Sequence, residues 1–165
     1  MRRVALLAAI IALSATIGTT AGAQPTRSVN ETFTVYVGDI GNDNSCCLIE
    51  RTLEGQTDFS TFKRLDVAGT YGLLAHYDET DPGMSSELSL TFTSRNGDQF
   101  TIAGSSDVFA FGEYPPPAAW EIRDATGHFA GLEGAGTYTI AGPPDPSDSL
   151  DTSPVTFSFT GSITK

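Results

Sequence analysis

The sequence predicts an all-β fold, a single closed antiparallel β-barrel of about eight strands. Apolar and polar side chains alternate through most of the second half, which is the period of a half-buried strand. Turns rich in glycine, proline and asparagine separate the alternating runs. Because these strands have one apolar face and no covering helix, they must close on themselves or pair with a second sheet.

The N-terminus has the pattern of a secretory signal peptide. Arg2 and Arg3 precede an apolar run from Val4 to Ile17, and small residues end at Ala23. The run is shorter than the roughly 20 residues that a membrane-spanning helix needs, so we expect no membrane span. Cleavage after Ala23 leaves a barrel domain of residues 24–165 in a secreted or cell-envelope location.

The charge of the chain restricts its partners. The formal net charge is −11, and loss of Arg2 and Arg3 with the signal peptide makes it more negative. Such a protein repels phosphate backbones, which excludes nucleic acid as a partner. Two acidic stretches, Asp39 to Asn44 and Asp78 to Asp81, gather oxygen ligands without EF-hand spacing, so calcium binding stays open. No cofactor is predicted.

The two cysteines, Cys46 and Cys47, are adjacent in the sequence. A bridge between neighbours departs from relaxed disulfide geometry and closes almost no loop. A vicinal disulfide, two reduced buried thiols and an intermolecular link all remain open. Because the CxxC spacing is absent, we predict no metal site.

The first half of the chain contains three predicted strands. The first carries Phe33, Val35 and Val37 on one face, and the second runs from Cys46 to Leu53 with an unclear parity. The third, from Val67 to Asp78, places four side chains in one register: Tyr71, Leu73, Ala75 and Tyr77.

The second half contains a predicted hairpin and further strands. Glu87 to Ser94 and Gln99 to Ala103 flank Asn96-Gly97, a dipeptide that suits a type I′ turn. The remaining predicted strands lie near Val108 to Phe111, at Trp120 and Ile122, at Tyr138 and Ile140, and from Val155 to Ile163. Proline-rich segments, Tyr114 to Pro117 and Gly142 to Pro146, predict loops at an end of the barrel.

Glu50 and Arg51 are a charged pair inside the strand of unclear parity. Whichever parity holds, one of them points inward, and an inward Glu50 is a candidate general acid or base. The alternative is a charge at a strand end in water. His76 and His128 are interpreted as surface residues.

Five aromatic side chains with a polar group are candidates for a ligand-binding surface, because each can place a hydroxyl or indole N–H at the edge of an apolar pocket. The alternative is that they fill the core. They are Tyr36, Tyr71, Tyr77, Trp120 and Tyr138.

The C-terminal part resembles the allene oxide cyclase-like barrel family, which is similar to plant dirigent proteins. The resemblance covers WEIRDATGHFAGLEGAGTYTIAG, from Trp120 to Gly142, and the closing strand Val155 to Thr164. In that family a tryptophan strand leads into a TGRF-AG-xG-xG turn, where this chain has His128 in place of the arginine. Its matching positions are Trp120, Thr126, Gly127, Phe129, Ala130, Gly131, Gly134, Gly136 and Gly161.

The resemblance implies a barrel with an apolar cavity in which a flexible molecule is folded and cyclised. We therefore expect a secreted barrel that binds a small apolar molecule in its interior. If the protein is an enzyme, it would cyclise or isomerise that molecule. The alternative is a non-catalytic binding or structural cell-envelope barrel filled by phenylalanines such as Phe92, Phe100, Phe157 and Phe159. An open interior of about 300 Å³ or more favours binding. A homo-oligomer is a third possibility, because dirigent-like proteins form trimers.

Overall fold

The computed structural model describes residues 25–41, 48–59, 62–77, 82–142 and 154–165. These residues form eight β-strands and one short turn of 3₁₀ helix, Gly127–Phe129. The strands are β1 (Thr26–Gly41), β2 (Leu48–Asp58), β3 (Arg64–His76), β4 (Gly83–Thr93), β5 (Gln99–Ser105), β6 (Ala118–Ala125), β7 (Glu133–Ala141) and β8 (Pro154–Thr164). Within the described ranges, no helix has the length and apolar character needed to span a membrane.

The eight strands form one closed antiparallel barrel, which confirms the predicted fold class. Each strand pairs with the next along the chain, and β8 pairs with β1. The closing register runs from Thr26 opposite Thr164 to Tyr36 opposite Pro154. Closure leaves no unpaired sheet edge, so one continuous wall encloses the apolar side chains.

The barrel has two ends, which the strand directions define. We call the end where β1, β3, β5 and β7 finish the upper end, and the opposite end the lower end. The connections β2–β3, β4–β5 and β6–β7 lie at the lower end, as does the 3₁₀ turn. The upper end includes the described loop from Ser106 to Pro117.

Three details of the predicted strands differ in the structure. The segment from Val108 to Phe111 is not a strand, and its Phe109 makes only an isolated bridge to Met84. The first strand begins at Thr26, well before Phe33. The β4–β5 hairpin is confirmed, but only Gly97 has a positive φ in its turn, so the turn is not type I′.

The lower half of the interior is filled by aromatic rings. Phe92 and Phe100 stack with centroids 4.8 Å apart, and Phe129 meets Phe62 edge-on at 5.1 Å. We call this group the lower aromatic plug; it consists of Phe59, Phe62, Phe92, Phe100 and Phe129. Such packing closes the barrel from below, so any interior site must lie nearer the upper end.

Several segments with sequence predictions lie outside the described residues. They are residues 1–23, Cys46 and Cys47, Asp78 to Asp81 and the proline loop beyond Gly142. The side chains of 39–44 are outside as well. The predictions for the signal peptide, the cysteines and calcium therefore stay predictions.

Candidate functional site

A group of polar side chains points into the upper half of the interior. We call this group the upper polar cluster; it consists of Arg51, Tyr71, Ser86, Ser106 and Tyr138. Ser86 and Ser106 are buried, and Tyr138 is only 1% exposed. Tyr71 and Arg51 are partly buried. Polar atoms at this depth are costly to desolvate, so their arrangement bears on function.

The strand registers explain why the cluster forms on the β2–β4 side. Arg51 of β2 lies directly opposite Tyr71 of β3, and Tyr71 lies opposite Leu88 of β4. Residues opposite each other in a register point to the same side of the sheet. Ser86 precedes Leu88 by two positions, so alternation places it on that inner face as well.

Tyr138 reaches the cluster from the other side of the barrel, because a glycine on β5 leaves room for its ring. A Cβ on Gly104 would lie 2.6 Å from Tyr138 Cε1. The ring therefore occupies the space above Gly104 that a side chain would fill. Gly104 is what allows a tyrosine on β7 to approach a serine on β4.

The two serines form a fixed pair at the centre of the cluster. Ser86 Oγ donates to Ser106 Oγ at 2.9 Å, and the Ser86 backbone N–H donates to the same oxygen at 3.0 Å. The Ser106 backbone N–H in turn donates to the Ser86 carbonyl at 3.0 Å. Because the Ser86 proton is committed, this hydroxyl faces the tyrosines with its lone pairs.

Both phenol oxygens of the cluster are buried and have no hydrogen-bond partner among the described residues. Burial raises the pKa of Tyr71 well above its ordinary value, and the proximity of Tyr138 adds to the rise. Ser86 and Arg51 offset part of that increase. Burial also raises the pKa of Tyr138, again with a partial offset by Ser86. Ser86 faces both phenols, but its geometry to neither meets that of a hydrogen bond.

Phe157 forms the floor of the cluster. Its ring centroid lies 6.4 Å from that of Tyr71 and 6.4 Å from that of Tyr138. Below it, Phe33 stacks on Phe159 at 5.4 Å and leads into the lower aromatic plug. The interior therefore changes from mainly aromatic at the lower end to mixed polar and apolar at the upper end.

Trp120 is buried and its N–H group is already used. The indole Nε1 donates to the carbonyls of Thr137 and Thr160, at 3.1 Å each. A Cβ on Gly136 would lie 2.8 Å from that nitrogen, and one on Gly161 would lie 2.9 Å from Trp120 Cζ2. The glycines of the C-terminal motif thus make room for the indole, which makes this part of the motif structural.

His128 lies outside the barrel at the lower end. Its Nδ1 forms a short contact with Asp98 Oδ2, and its ring lies 3.8 Å from that of Phe129. The hydrogen bond from His128 lowers the pKa of Asp98. A Cβ on Gly127 would collide with Asp98, so glycine is required for this contact. His76, at the other end, pairs with Ser85 Oγ at 2.8 Å.

The structure brings three of the five predicted ligand-binding residues into the interior: Tyr71, Trp120 and Tyr138. Tyr36 lies on the outer face and is 62% exposed, because the odd-numbered residues of β1 point inward. Tyr77 is 68% exposed, because β3 ends at His76 and alternation stops there. Glu50 is exposed on the outer wall, and Arg51 is the member of the pair that points inward.

Sequence reasoning missed four inward polar residues: Glu31, Thr57, Ser86 and Ser106. Glu31 is 8% exposed and lies between Val29 and Phe33 on the inner face of β1. For Glu31 and Ser86 a signal was present, because each precedes the first assigned apolar position of its strand by two residues. Extending the alternation by one step finds both. Ser106 follows the end of β5, where no such pattern applies.

A wide concave surface lies on the outside of the barrel. It is a trough of about 900 Å³ across the outer faces of β2 to β7. Small side chains such as Ala103, Ala119 and Ala135 form its floor, and four carboxylates and Arg123 surround it. Glu50 is one of those carboxylates. Neither this trough nor the smaller hollow beside Phe62 and Leu132 at the lower end lies in the upper half of the interior, where a ligand volume of about 300 Å³ is expected.

The comparisons with known proteins identify no relative. No family model, no curated protein and no solved structure matches the chain. In the described part of the chain, no group of three or more histidine, cysteine or acidic residues is arranged to hold a metal ion. What the structure itself defines is a closed eight-stranded antiparallel barrel with an aromatic lower half and a polar cluster in its upper half.

Proposed function

We propose that this protein is an exported barrel that binds a small, largely apolar molecule in the upper half of its interior. One observation supports this most directly: two buried phenol hydroxyls, of Tyr71 and Tyr138, have no hydrogen-bond partner among the residues that the structure describes. A buried donor without a partner costs about 1–3 kcal/mol. A barrel that only needed a core would place phenylalanine at both positions.

The surroundings of the two phenols favour a ligand that is mainly hydrocarbon. Phe157 lies beneath both rings, and Val35, Leu53 and Leu88 are buried on neighbouring strands. Ligand sites in proteins combine such apolar walls with a few convergent polar groups. Both phenol oxygens are enclosed, so the ligand reaches them only when the side chains around them move.

The same site would cyclise or isomerise a reactive ligand by two effects. Confinement between Phe157 and the barrel wall would hold the ligand in one folded, reactive conformer. The ligand would then not have to reach that conformer by chance from many others. The phenols would donate to an oxygen on which negative charge develops during the reaction. The resemblance to cyclase-like barrels and the signal-peptide pattern of residues 1–23 support this reading and an extracytoplasmic location.

Native mass spectrometry of the mature protein, purified from its own host, tests the proposal. We expect a bound molecule that is lost on denaturation and that organic extraction identifies as mainly hydrocarbon. Two variants locate it. Ser86→Leu fills the interior and should abolish binding, whereas Ala119→Leu fills the outer trough and should not. Loss of the ligand only in Ala119→Leu would place it on the outer wall and contradict the proposal.

A second candidate function is a structural barrel with a solid core. The continuous ring contacts from Phe129 through Phe100 and Phe92 to Phe33 favour it. On this reading the protein carries no ligand from its host, and the measured mass is that of the polypeptide alone. The two candidates thus differ in the outcome of the same experiment.

A further inference from the structure

We infer that the ligand presents a carbonyl or carboxylate oxygen to Tyr71 and Tyr138, beside the guanidinium of Arg51. This inference rests on the proposed function and specifies the chemical class of the ligand. It assigns the two phenols the role of hydrogen-bond donors. The apolar body of the ligand would then lie against Phe157 and the barrel wall.

The geometry brings the two phenols to one place. The rings come from β3 and β7, which do not pair with each other, and both pack at 6.4 Å from Phe157. Their hydroxyls also face the same serine, Ser86. Two donors that converge in this way can share one acceptor oxygen, as in sites that bind a developing oxyanion.

The neighbouring groups favour an acceptor over a donor. Ser86 donates its proton to Ser106, so it offers no proton to the cluster. Arg51 lies opposite Tyr71 and acts on it as a positive charge. A pure hydrocarbon would leave both phenols unsatisfied, whereas an acceptor oxygen can take a hydrogen bond from each of them.

The charge of the whole protein restricts the acceptor further. With a net charge of −11, the chain repels multiply charged anions such as phosphate esters. A neutral carbonyl or a single carboxylate avoids most of this repulsion. A ketone, an aldehyde or a carboxylate on a hydrocarbon body therefore fits both the cluster and its surroundings.

Three fluorescent probes with one apolar body test the inference: 2-ethylnaphthalene, 2-acetylnaphthalene and 2-naphthoate. Each is titrated into the mature, extracted protein and into Tyr71→Phe, Tyr138→Phe and the exposed control Tyr77→Phe. We expect the ketone and the carboxylate to bind the wild type at least about tenfold more tightly than the hydrocarbon. Either interior substitution should reduce that advantage several-fold, and Tyr77→Phe should keep it.

The outcomes separate this inference from the proposed function. Equal affinity for all three probes would overturn the inference and leave binding of apolar molecules standing. An advantage of the oxygen-bearing probes that survives in Tyr71→Phe and Tyr138→Phe would also overturn it. Binding of none of the probes would overturn the proposed function and the inference with it. Circular dichroism and thermal melting confirm that each variant is folded.

Discussion

Tyr71 and Tyr138 lie on strands that do not pair with each other, yet both rings pack against Phe157, each at a centroid distance of 6.4 Å. The closed barrel makes this possible, because strands on opposite sides of the wall direct side chains toward one axis. The two phenols consequently share one enclosed, water-poor space.

Removal of the Tyr138 hydroxyl should stabilise the protein. Because the group is buried and has no hydrogen-bond partner within the described ranges, Tyr138→Phe relieves a desolvation cost. We expect a gain of about 1 kcal/mol in the free energy of unfolding. Urea denaturation followed by tryptophan fluorescence measures it. Tyr77→Phe, at a 68% exposed position, should leave stability unchanged. A loss of more than about 1 kcal/mol in Tyr138→Phe would show that its hydroxyl is hydrogen-bonded.

Alkaline pH should destabilise the fold through the same tyrosines. Burial raises the pKa of Tyr71 and of Tyr138 in the folded protein above the unfolded value near 10. Their contribution is fully present below about pH 10 and is lost as the pH rises toward the folded pKa. We expect the melting temperature to fall more steeply above pH 10 in the wild type than in a Tyr71→Phe/Tyr138→Phe double variant.

Ultraviolet absorbance provides the check on that assignment. The difference in tyrosinate absorbance between wild type and double variant should stay near zero at pH 10–11 while both are folded. It should appear together with unfolding. Ionisation of the two tyrosines at pH 10 in folded protein would refute the assigned burial.

Substitution of Gly136 should cost far more than substitution of Gly72, although both lie in strands. A Cβ at Gly136 would come within 1.9 Å of the Thr160 carbonyl oxygen, whereas one at Gly72 meets nothing closer than 3.7 Å. We expect Gly136→Ala to lose at least about 2 kcal/mol. Gly72→Ala should be neutral or slightly stabilising, by up to about 1 kcal/mol. Equal losses in urea denaturation would contradict the packing around Trp120.

Asp98 should contribute to the stability of the fold at neutral pH, and this contribution should be lost in acid. Its hydrogen bond with His128 lowers the pKa of the carboxyl below the unfolded value near 3.9. The contribution is therefore present above about pH 4 and is lost as the pH falls through the folded pKa. Asp98→Asn should melt lower than wild type at pH 5, and the difference in melting temperature should shrink as the pH falls below about 4. Asp107→Asn, at an exposed position, is the control and should show no such trend.

The sequence predicted the barrel because alternation is a strong and redundant signal. Leu88, Leu90 and Phe92 are all buried, as are Phe157 and Phe159, and one register shift would have exposed them all. Alternation also predicted the inward side of Tyr71 and Tyr138. It failed at Tyr77, which lies one residue beyond the strand end.

The candidate site was only partly predictable, because it depends on contacts across the barrel. The approach of Tyr138 to Ser86 requires the empty position at Gly104, and no periodicity within a strand reveals that relation. Arg51 illustrates a second limit. Its strand has no clear apolar alternation, so the sequence did not show whether Glu50 or Arg51 points inward. Polar inward residues interrupt the very pattern from which the inner face is inferred.

The pairing of β1 with β8 has a consequence for how the chain reaches its native state. Thr26 of β1 lies opposite Thr164 of β8. The strand pair that closes the barrel therefore joins the first described strand to be synthesised with the last. Until β8 has emerged, β1 and whichever strand was made last present open edges. We therefore expect the incomplete chain to bind chaperones. A chain truncated before β8 would form an open sheet that is prone to aggregate, and not a smaller barrel.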